Sequence, residues 1–487
     1  MGTVLTSPST EEAGLAFERF VRWVAALEWD DLSPSARERT VLVLADDMAA
    51  TFSALDEPQV ALAQRRLRAA AMPDGAASLI APGRPRLPVL QAAMGNGLAM
   101  GWNELDEGFR KAVCHAGLYV LPALLATAEA ENASLRELLR ALALGYEVVT
   151  RVARTWTFPA MRIHPHALLA PVGAAAGVAL LRRLPVEQIV SAVAGAATMG
   201  MAGPFDHALK GVLARNTWAP QAAVAGLNAV EWAQCGIGGR AASPHDVYAV
   251  ALGAHADLAV LAPHADEGWA VESGYQKMNA CCQYAHSTIE AIQALLANEP
   301  SLRGGERVSA ITVEAHPLAY ALDDRAPRTT LGAKFSVPHA AAAALVHGNG
   351  GATAFDAASL DDARIARLRN ATTLRPFPEL RPWPDDRPSR VTLTTDDGTS
   401  FDALCWSAQG GPDRPFPAAA LWDKVATLAA PHAPAFAPTM RRMADAAASA
   451  SGDADLARPW RHWLDACFSE PAPMTAAALD SQATKEH

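Results

Sequence analysis

The chain has 487 residues, of which 51% are hydrophobic and 19% charged, and its formal net charge is -10 at pH 7. These values are typical of a large folded protein and exclude a disordered chain. Because the charge balance is acidic and no run of basic residues occurs, we predict that nucleic acid is not a partner.

The N-terminus and the cysteines indicate the compartment. Residues 1–6 lack a basic segment followed by an apolar one, so we expect no secretory signal. The six cysteines are scattered, without the spacing of metal ligands. The uncharged stretches 167–181 and 189–205 are too short or too interrupted to span a bilayer, which takes about 20 apolar residues. We therefore predict a cytoplasmic protein with reduced thiols, no bound metal and no membrane partner.

Residues 11–236 predict one helix after another. Ser33 followed by Pro34 is typical of an N-cap with proline in the first helical turn. Ser134 with Glu137 predicts a capping box that opens a long helix. Many positions inside these segments are Ala or Gly, which lets helices approach closely, so we expect a compact bundle.

Three histidines, His115, His164 and His286, each stand at the start of an alanine-rich helical segment. A helix start has unpaired backbone N–H groups and about half a positive charge, and it therefore suits a carboxylate. The same field disfavours imidazolium, so such a histidine tends to stay neutral and able to accept a proton. If the three helix starts converge, they form a pocket for a polycarboxylate with bases already in place.

Two polar clusters contain these histidines in the helical part of the chain. Residues 103–115 form a charged connection between two apolar helices, and its carboxylates and His115 can supply a base and an orienting partner. A solvated surface loop explains the same composition. Residues 162–166 read Arg-Ile-His-Pro-His, but no third metal ligand lies at a helical offset. A histidine that only caps a helix is the alternative there.

Two lysines stand out because lysine is scarce in this chain. Lys210 lies amid Ala, Leu, Val and Gly, where a partly buried lysine can bind or protonate a carboxylate. The alternative is a lysine whose stem covers apolar surface while its ammonium stays in water. Lys277 opens the segment 277–286, which contains Cys281 and Cys282. A single histidine beside them does not favour zinc, so we expect small buried cysteines next to a functional histidine.

The pattern changes near residue 300. Residues 307–315 predict a strand, and 389–395 with 400–404 predict a hairpin around an Asp-Gly turn. A helix is expected at 337–347. The sequence thus predicts a mostly α protein with a large helical domain and a smaller α+β lid domain. The expected bounds are 11–273 and 406–470 for the helical domain, 274–405 for the lid domain and 471–487 for a disordered tail.

Taken in order, these segments resemble the MmgE/PrpD family, which includes 2-methylcitrate dehydratases and cis-aconitate decarboxylases. The likeness runs from about Phe17 to Phe468, and the strongest matches are residues 121–126, 142–148, 277–286 and 332–338. The resemblance implies a large helical domain and a smaller α+β lid with the site between them. It also implies a homodimer that uses no cofactor.

The resemblance implies a set of active-site positions as well. The acidic position in the loop is Glu104 by a gapless alignment and Asp106 by an alignment with one gap. The predicted catalytic residues are Asp106, His115, His164, Lys210 and His286. The predicted substrate-binding residues are Glu104, Arg110, Arg162, Lys277 and His339.

This sequence departs from the family pattern in ways that bear on the substrate. The family loop often reads Asp-Phe-Asp-Asp before a small polar residue, whereas residues 104–108 read Glu-Leu-Asp-Glu-Gly. The threonine that cis-aconitate decarboxylases share there is absent. His339 replaces a family tyrosine, and Arg110 and Lys111 add positive charge. These differences disfavour cis-aconitate decarboxylation and leave the substrate open.

Removal of water next to a carboxylate requires a base, an acid and a cation. We expect His164 or the loop carboxylate to be the base, His115 or His286 the acid, and Lys210 the cation that binds a substrate carboxylate. Because the cysteines lack the spacing of an iron–sulfur cluster, we expect activity that survives chelation.

The sequence therefore favours a metal-independent hydro-lyase that acts on a small di- or tricarboxylate. An epimerase or racemase is one alternative, for which His339 would suit the second base. A decarboxylase using the same site is another. A non-catalytic binding protein on this scaffold is the alternative from a different class.

Overall fold

The computed structural model describes residues 8–69, 72, 75–263, 268–449 and 452–469. The segment 1–6 and the predicted tail 471–487 lie outside the described residues. Within the described ranges, no helix is both long enough and apolar enough to cross a bilayer.

Helices dominate the first half of the chain and return at its end, as predicted. Among the described residues before 240, the α-helices of eight residues or more are Thr10–Ala26, Pro34–Ser53, Pro58–Arg68, Val89–Met100, Ala116–Ala130, Leu135–Thr155, Ala170–Leu181, Val186–Ala197 and Trp218–Gln234. The later ones are His286–Asn298, Val337–His347, Ala363–Asn370, Ala418–Ala429, Phe436–Ala448 and Trp460–Cys467.

The predicted N-caps are present, with one difference. Ser33 Oγ accepts from the backbone N–H of Ala36 at 3.0 Å. Ser134 Oγ accepts from the backbone N–H of Glu137 at 3.2 Å. The reciprocal bond of the capping box is not formed, because the Glu137 carboxylate accepts two hydrogen bonds from Arg183 instead, at 2.9 and 3.0 Å. An arginine within reach competes successfully with a backbone N–H for the carboxylate.

Small residues bring the central helices close together. A Cβ on Gly145 would lie 3.1 Å from the Cα of Gly177, where helices Leu135–Thr155 and Ala170–Leu181 meet. Apolar side chains around this contact form one large core, which the C-terminal helices complete. The compact bundle expected from the Ala and Gly content is confirmed.

The β-structure of the second half is a four-stranded sheet with a second core against it. Its strands, in spatial order, are Ser400–Cys405, Ser389–Thr395, Val308–Ala315 and Thr372–Pro376. All neighbours are antiparallel except the last pair, which is parallel. The mostly α architecture with a smaller α+β part is therefore confirmed, while the domain bounds given above stay a prediction.

A short two-stranded sheet joins the two parts where the polar clusters lie. Gly108–Phe109 pairs antiparallel with Gly274–Tyr275. This pairing holds the loop 103–115 beside the segment that starts at Lys277. Leu105 of the same loop is buried in the second core. The loop is thus fixed between the two cores rather than left on the surface.

Candidate active site

One cavity lies where the loop 103–115, the chain around His164 and the segment from Lys277 meet. About 640 Å³ of space free of protein atoms lies there, part of it open to solvent at the mouth. The polar side chains that line it are Glu104, His115, Tyr119, His164, His166, Arg215, Lys277, Cys282, Gln283 and Tyr284.

The loop carboxylates are buried, so the solvated-loop alternative is wrong for this segment. Asp106 has no accessible surface and Glu104 is 2% exposed. His115 is the N-cap residue of helix Ala116–Ala130, and its Nδ1 lies 2.6 Å from Asp106 Oδ2. Burial raises the pKa of Asp106, but Lys277 and His115 lower it more, so this carboxyl is ionised. An ionised carboxylate only accepts, so His115 donates through Nδ1 and keeps Nε2 for the cavity that it lines.

Glu107 anchors the start of the helix that carries His115. Its Oε1 accepts from the backbone N–H of Gly117 at 2.7 Å, and its Oε2 lies 2.9 Å from Tyr146 Oη. Its own backbone N–H donates to Asp47 Oδ1 at 2.7 Å. Burial, which outweighs these hydrogen bonds, raises the pKa of Glu107 to about 8. Glu107 is therefore protonated at neutral pH and fixes the helix start without adding a charge beside Asp106.

Glu104 faces the cavity from a strained backbone. Its φ is +54°, a left-handed conformation that is uncommon for a residue other than glycine. Glu104 Oε1 lies 2.6 Å from Arg215 Nη1, and Oε2 lies 3.7 Å from Lys277 Nζ. Burial raises the pKa of Glu104, but these two cations lower it by more than burial raises it, so the carboxylate is charged. The preceding residue is held by Lys334, whose Nζ donates to Asn103 Oδ1 at 2.8 Å.

Lys277 places a buried ammonium at the cavity wall. Its side chain is 2% exposed, and Nζ lies 3.7 Å from Glu104 and 3.8 Å from Asp106 Oδ1. Both distances exceed those of hydrogen bonds, and within the described residues Nζ has no hydrogen-bond partner. Burial lowers the pKa of Lys277, but the two carboxylates raise it more, so the group is a cation. A ligand carboxylate can supply the hydrogen bonds that this ammonium lacks.

Two buried imidazoles complete the inner wall. The His164 ring lies against Arg215, with Nε2 3.4 Å from the guanidinium Nε. His166 Nδ1 is 2.9 Å from Tyr119 Oη, while its Nε2 has no hydrogen-bond partner among the residues that the structure describes. Burial, with Arg215 adding to it, lowers the pKa of both histidines well below the usual value. The expectation of a neutral His164 is thus met, with burial as the main cause rather than the helix start.

His286 does not line this cavity. It is the first residue of helix His286–Asn298, and both ring nitrogens are engaged by protein atoms. Nδ1 lies 2.6 Å from Tyr275 Oη and Nε2 lies 3.1 Å from the carbonyl of Cys281. Burial first, and Lys277 second, lower its pKa to about 3. Of the three helix starts expected to converge, two meet at the cavity.

Five other predicted residues also lie outside the cavity lining, and one of them, Asp106, contacts His115 from behind. Lys210 is two-thirds exposed and pairs with Asp206 on its own short helix, which is the alternative considered above. Arg162 is exposed.

The remaining two are buried among other partners. Arg110 lies 3.1 Å from Asp386. His339 is enclosed in the second part, with Nε2 2.9 Å from the carbonyl of Ala354 and Nδ1 3.1 Å from Arg369. Neither arrangement turns the side chain toward the cavity.

Sequence reasoning missed Arg215, His166 and Tyr119 as site residues. Arg215 lies on the short 3-10 helix Leu213–Thr217, five residues beyond Lys210, and no periodicity in that segment shows which cation turns inward. His166 had a usable signal, because it follows His164 by two residues.

The two adjacent cysteines differ in their surroundings. Cys281 is buried as expected, whereas Cys282 lines the cavity, and the six cysteines are free thiols. Across the described ranges, no group of three or more His, Cys, Asp or Glu side chains has the geometry of a metal site.

Comparison with protein families gives two matches. The MmgE/PrpD N-terminal domain matches residues 18–254, and the MmgE/PrpD C-terminal domain matches residues 280–448. The first match contains the loop carboxylates and the inner histidines, and the second begins two residues before Cys282. Lys277 lies between the two matches, at the junction where the cavity is. A search of curated proteins returned no match.

Proposed function

The chain belongs to the MmgE/PrpD family, a family of the dehydratase and lyase type, and on that premise we propose that it is a hydro-lyase of a small hydroxy di- or tricarboxylate that needs no metal. One observation carries the proposal. A buried ammonium that has no hydrogen-bond partner among the described residues, Lys277, shares a cavity with His115, whose ring is oriented by Asp106.

The carboxylate of the substrate binds at Lys277 and Arg215. Both cations are at most 2% exposed, so a carboxylate there interacts with them in a medium of low polarity. Removing a proton from the neighbouring carbon builds negative charge on that carboxylate. The same two cations stabilise this charge, which lowers the barrier to proton removal.

His115 is the proton acceptor in this proposal. In the neutral ring the proton is on Nδ1, which donates to Asp106, so Nε2 carries the lone pair that accepts the substrate proton. The C–H electron pair becomes the new C=C bond, the C–O bond breaks, and the hydroxide leaves as water with the proton that His115 accepted. His166 is the candidate for contacting the leaving hydroxyl, because it lines the cavity and its buried Nε2 is unpartnered among the described residues.

This assignment changes the roles expected from the sequence. Lys210 is exposed and both ring nitrogens of His286 are engaged, so we assign the roles of cation and acid to residues inside the cavity instead. An epimerase with His339 as second base loses support, because that histidine is enclosed elsewhere. The His115 and His166 rings are 4.7 Å apart on one wall, whereas exchange through two bases needs them on opposite faces of a carbon.

Proton NMR in D₂O on chelator-treated protein tests the proposal, with 2-methylcitrate, citrate and 2-methylmalate as separate substrates. The expected result is an alkene signal that is absent in His115→Gln. It is a vinylic proton from citrate or 2-methylmalate, or a methyl singlet on the double bond from 2-methylcitrate, whose alkene can lack a vinylic proton. His432→Gln is the matched control, since His432 forms a surface pair with Asp56 at 3.2 Å and lies outside the cavity lining. Loss of an α-proton without an alkene would instead show an isomerase, release of CO₂ a decarboxylase, and binding without reaction a binding protein.

A further inference from the structure

The cavity has its charged groups at the bottom and its apolar groups at the opening. Arg215, Lys277 and Glu104 are at most 2% exposed. Leu318, which lines the same cavity, is 39% exposed, and Leu209 is partly exposed. This order is the reverse of the usual one, in which charges face water and leucines are covered. A ligand that enters headgroup first, with an apolar group behind it, would match it.

The apolar wall is built by segments held firmly in place. Leu318 lies on the short helix Pro317–Tyr320, whose N-cap His316 accepts from the Leu318 N–H at 3.1 Å. The His316 ring stacks on Tyr284 with 5.4 Å between centroids. The Phe335 ring faces the Arg215 guanidinium at 5.3 Å, which links the apolar wall to the charged bottom. The wall is therefore a formed surface rather than a chance exposure of one leucine.

The charge at the bottom of the cavity limits how many carboxylates it can hold. Two cations, Arg215 and Lys277, face two ionised carboxylates, Glu104 and Asp106, so the four formal charges cancel. One added carboxylate gains the unmade hydrogen bonds of Lys277. Because the charges already cancel, every added carboxylate is an extra buried charge, and one beyond the first would lack even the hydrogen bonds of Lys277, at a cost of several kcal/mol. The rest of the ligand inside the cavity is therefore best uncharged.

We propose that the substrate is a hydroxydicarboxylate with an apolar substituent, not a compact tricarboxylate. One carboxylate lies at Lys277 and Arg215, and the substituent lies against Leu209, Leu318 and Phe335. The second carboxylate remains at the open mouth in contact with water. This inference rests on the proposed function for the position of the first carboxylate, and it names the substrate class of that same site.

Two ligands of nearly equal shape distinguish a site for an apolar substituent from a site for a third carboxylate. Citrate is malate with a carboxymethyl group on carbon 2, and 2-isobutylmalate has an isobutyl group of the same size there. Titration calorimetry on the wild-type protein should give a Kd for 2-isobutylmalate at least about tenfold lower than for citrate. In the series malate, 2-methylmalate and 2-ethylmalate, Kd should fall by up to about fourfold per added carbon.

The variant Leu318→Asn should bring the Kd values of citrate and 2-isobutylmalate closer together. Leu15→Asn is the matched control, an exposed leucine on helix Thr10–Ala26, and should preserve their ratio. Equal or tighter binding of citrate, a Kd independent of chain length, or no binding by any ligand would overturn the inference. Graded binding without turnover would leave it standing and refute the hydro-lyase instead. Turnover with no preference for the alkyl group would support the hydro-lyase and overturn the inference about the substituent.

Discussion

His115 Nδ1 lies 2.6 Å from Asp106 Oδ2, and this carboxylate has no accessible surface. The pair is brought together by a loop that is itself anchored, through Glu107, to the helix that His115 starts. One side chain thus orients the imidazole while its neighbour in the chain fixes the backbone. The predictions below separate these two contributions.

Asp106→Asn should lower kcat by about a hundredfold or more, because an amide can donate to Nδ1 and turn the lone pair away from the cavity. Steady-state kinetics on a substrate found by NMR would measure it. The matched control is Asp56→Asn, which alters the surface pair with His432 and should keep wild-type kinetics. Wild-type activity in Asp106→Asn would remove the pair from the mechanism.

Lys277 and Lys210 should differ sharply as carboxylate-binding residues. Lys277→Met is expected to weaken binding of malate by about tenfold or more, because the carboxylate loses its ammonium partner. Lys210→Met should change it less than about twofold, as expected for an exposed ion pair. Titration calorimetry gives both values.

A loss of ligand binding in Lys277→Met must be distinguished from a loss of folding stability. Lys277→Met leaves Glu104 and Asp106 with one cation fewer and should cost about 3 kcal/mol of unfolding free energy. The double variant Lys277→Met with Glu104→Gln removes one charge of each sign and should recover part of that stability without recovering binding. Recovery of binding in the double variant would contradict the role of Lys277.

Glu107→Gln should change how stability depends on pH. The pKa of Glu107 is about 8 in the folded protein against 4.5 unfolded, so the folded state keeps a proton that the unfolded state releases. Its contribution is fully present below pH 4.5 and is lost as pH rises through 8. Relative to wild type, the glutamine variant should therefore gain stability between pH 5 and 8, by at most about 1.4 kcal/mol per pH unit. Urea unfolding of both proteins across that range measures the difference, and parallel curves would contradict a protonated Glu107.

Gly117→Ala should destabilise the protein by about 1–3 kcal/mol and reduce activity. A Cβ there would overlap Asp47 Oδ2 and come within 3.0 Å of Val43 Cγ1, and relief of that contact would shift the helix that begins after His115. Gly108→Ala is the control in the same loop, since its Cβ would meet only Cys114 O at 3.6 Å. Thermal unfolding and kcat would be compared, and equal behaviour of the two variants would show that the helix start is not tightly placed.

The local parts of the fold were predictable because their signals are short-range. The helix Pro34–Ser53 begins where its capping serine predicts, and the strands Ser389–Thr395 and Ser400–Cys405 lie where the Asp-Gly turn between them predicts. The second hydrogen bond of the capping box at Ser134 was predicted wrongly, because the Glu137 carboxylate binds Arg183 instead. Arg183 is distant in sequence and gave no local signal.

Part of the site was also predictable from short-range signals in the sequence. His115, His164, Glu104 and Lys277 line the cavity, and Asp106 lies directly behind His115. The sequence did not show the direction in which each side chain points, because composition does not tell whether a cation on a short helix turns inward or outward.

The balanced charges at the bottom of the cavity have a calorimetric consequence. A carboxylate that arrives beside His164 and His166 favours their protonated forms, so binding should draw protons from the buffer. The heat of binding should then vary with the ionisation enthalpy of the buffer, and affinity should increase as pH falls. A binding enthalpy that is the same in phosphate and in Tris would mean that the ligand's charge is met by movement of Glu104 rather than by proton uptake. In the first case the protein would change its own charge to admit an anion, and in the second it would rearrange the charges that it already has.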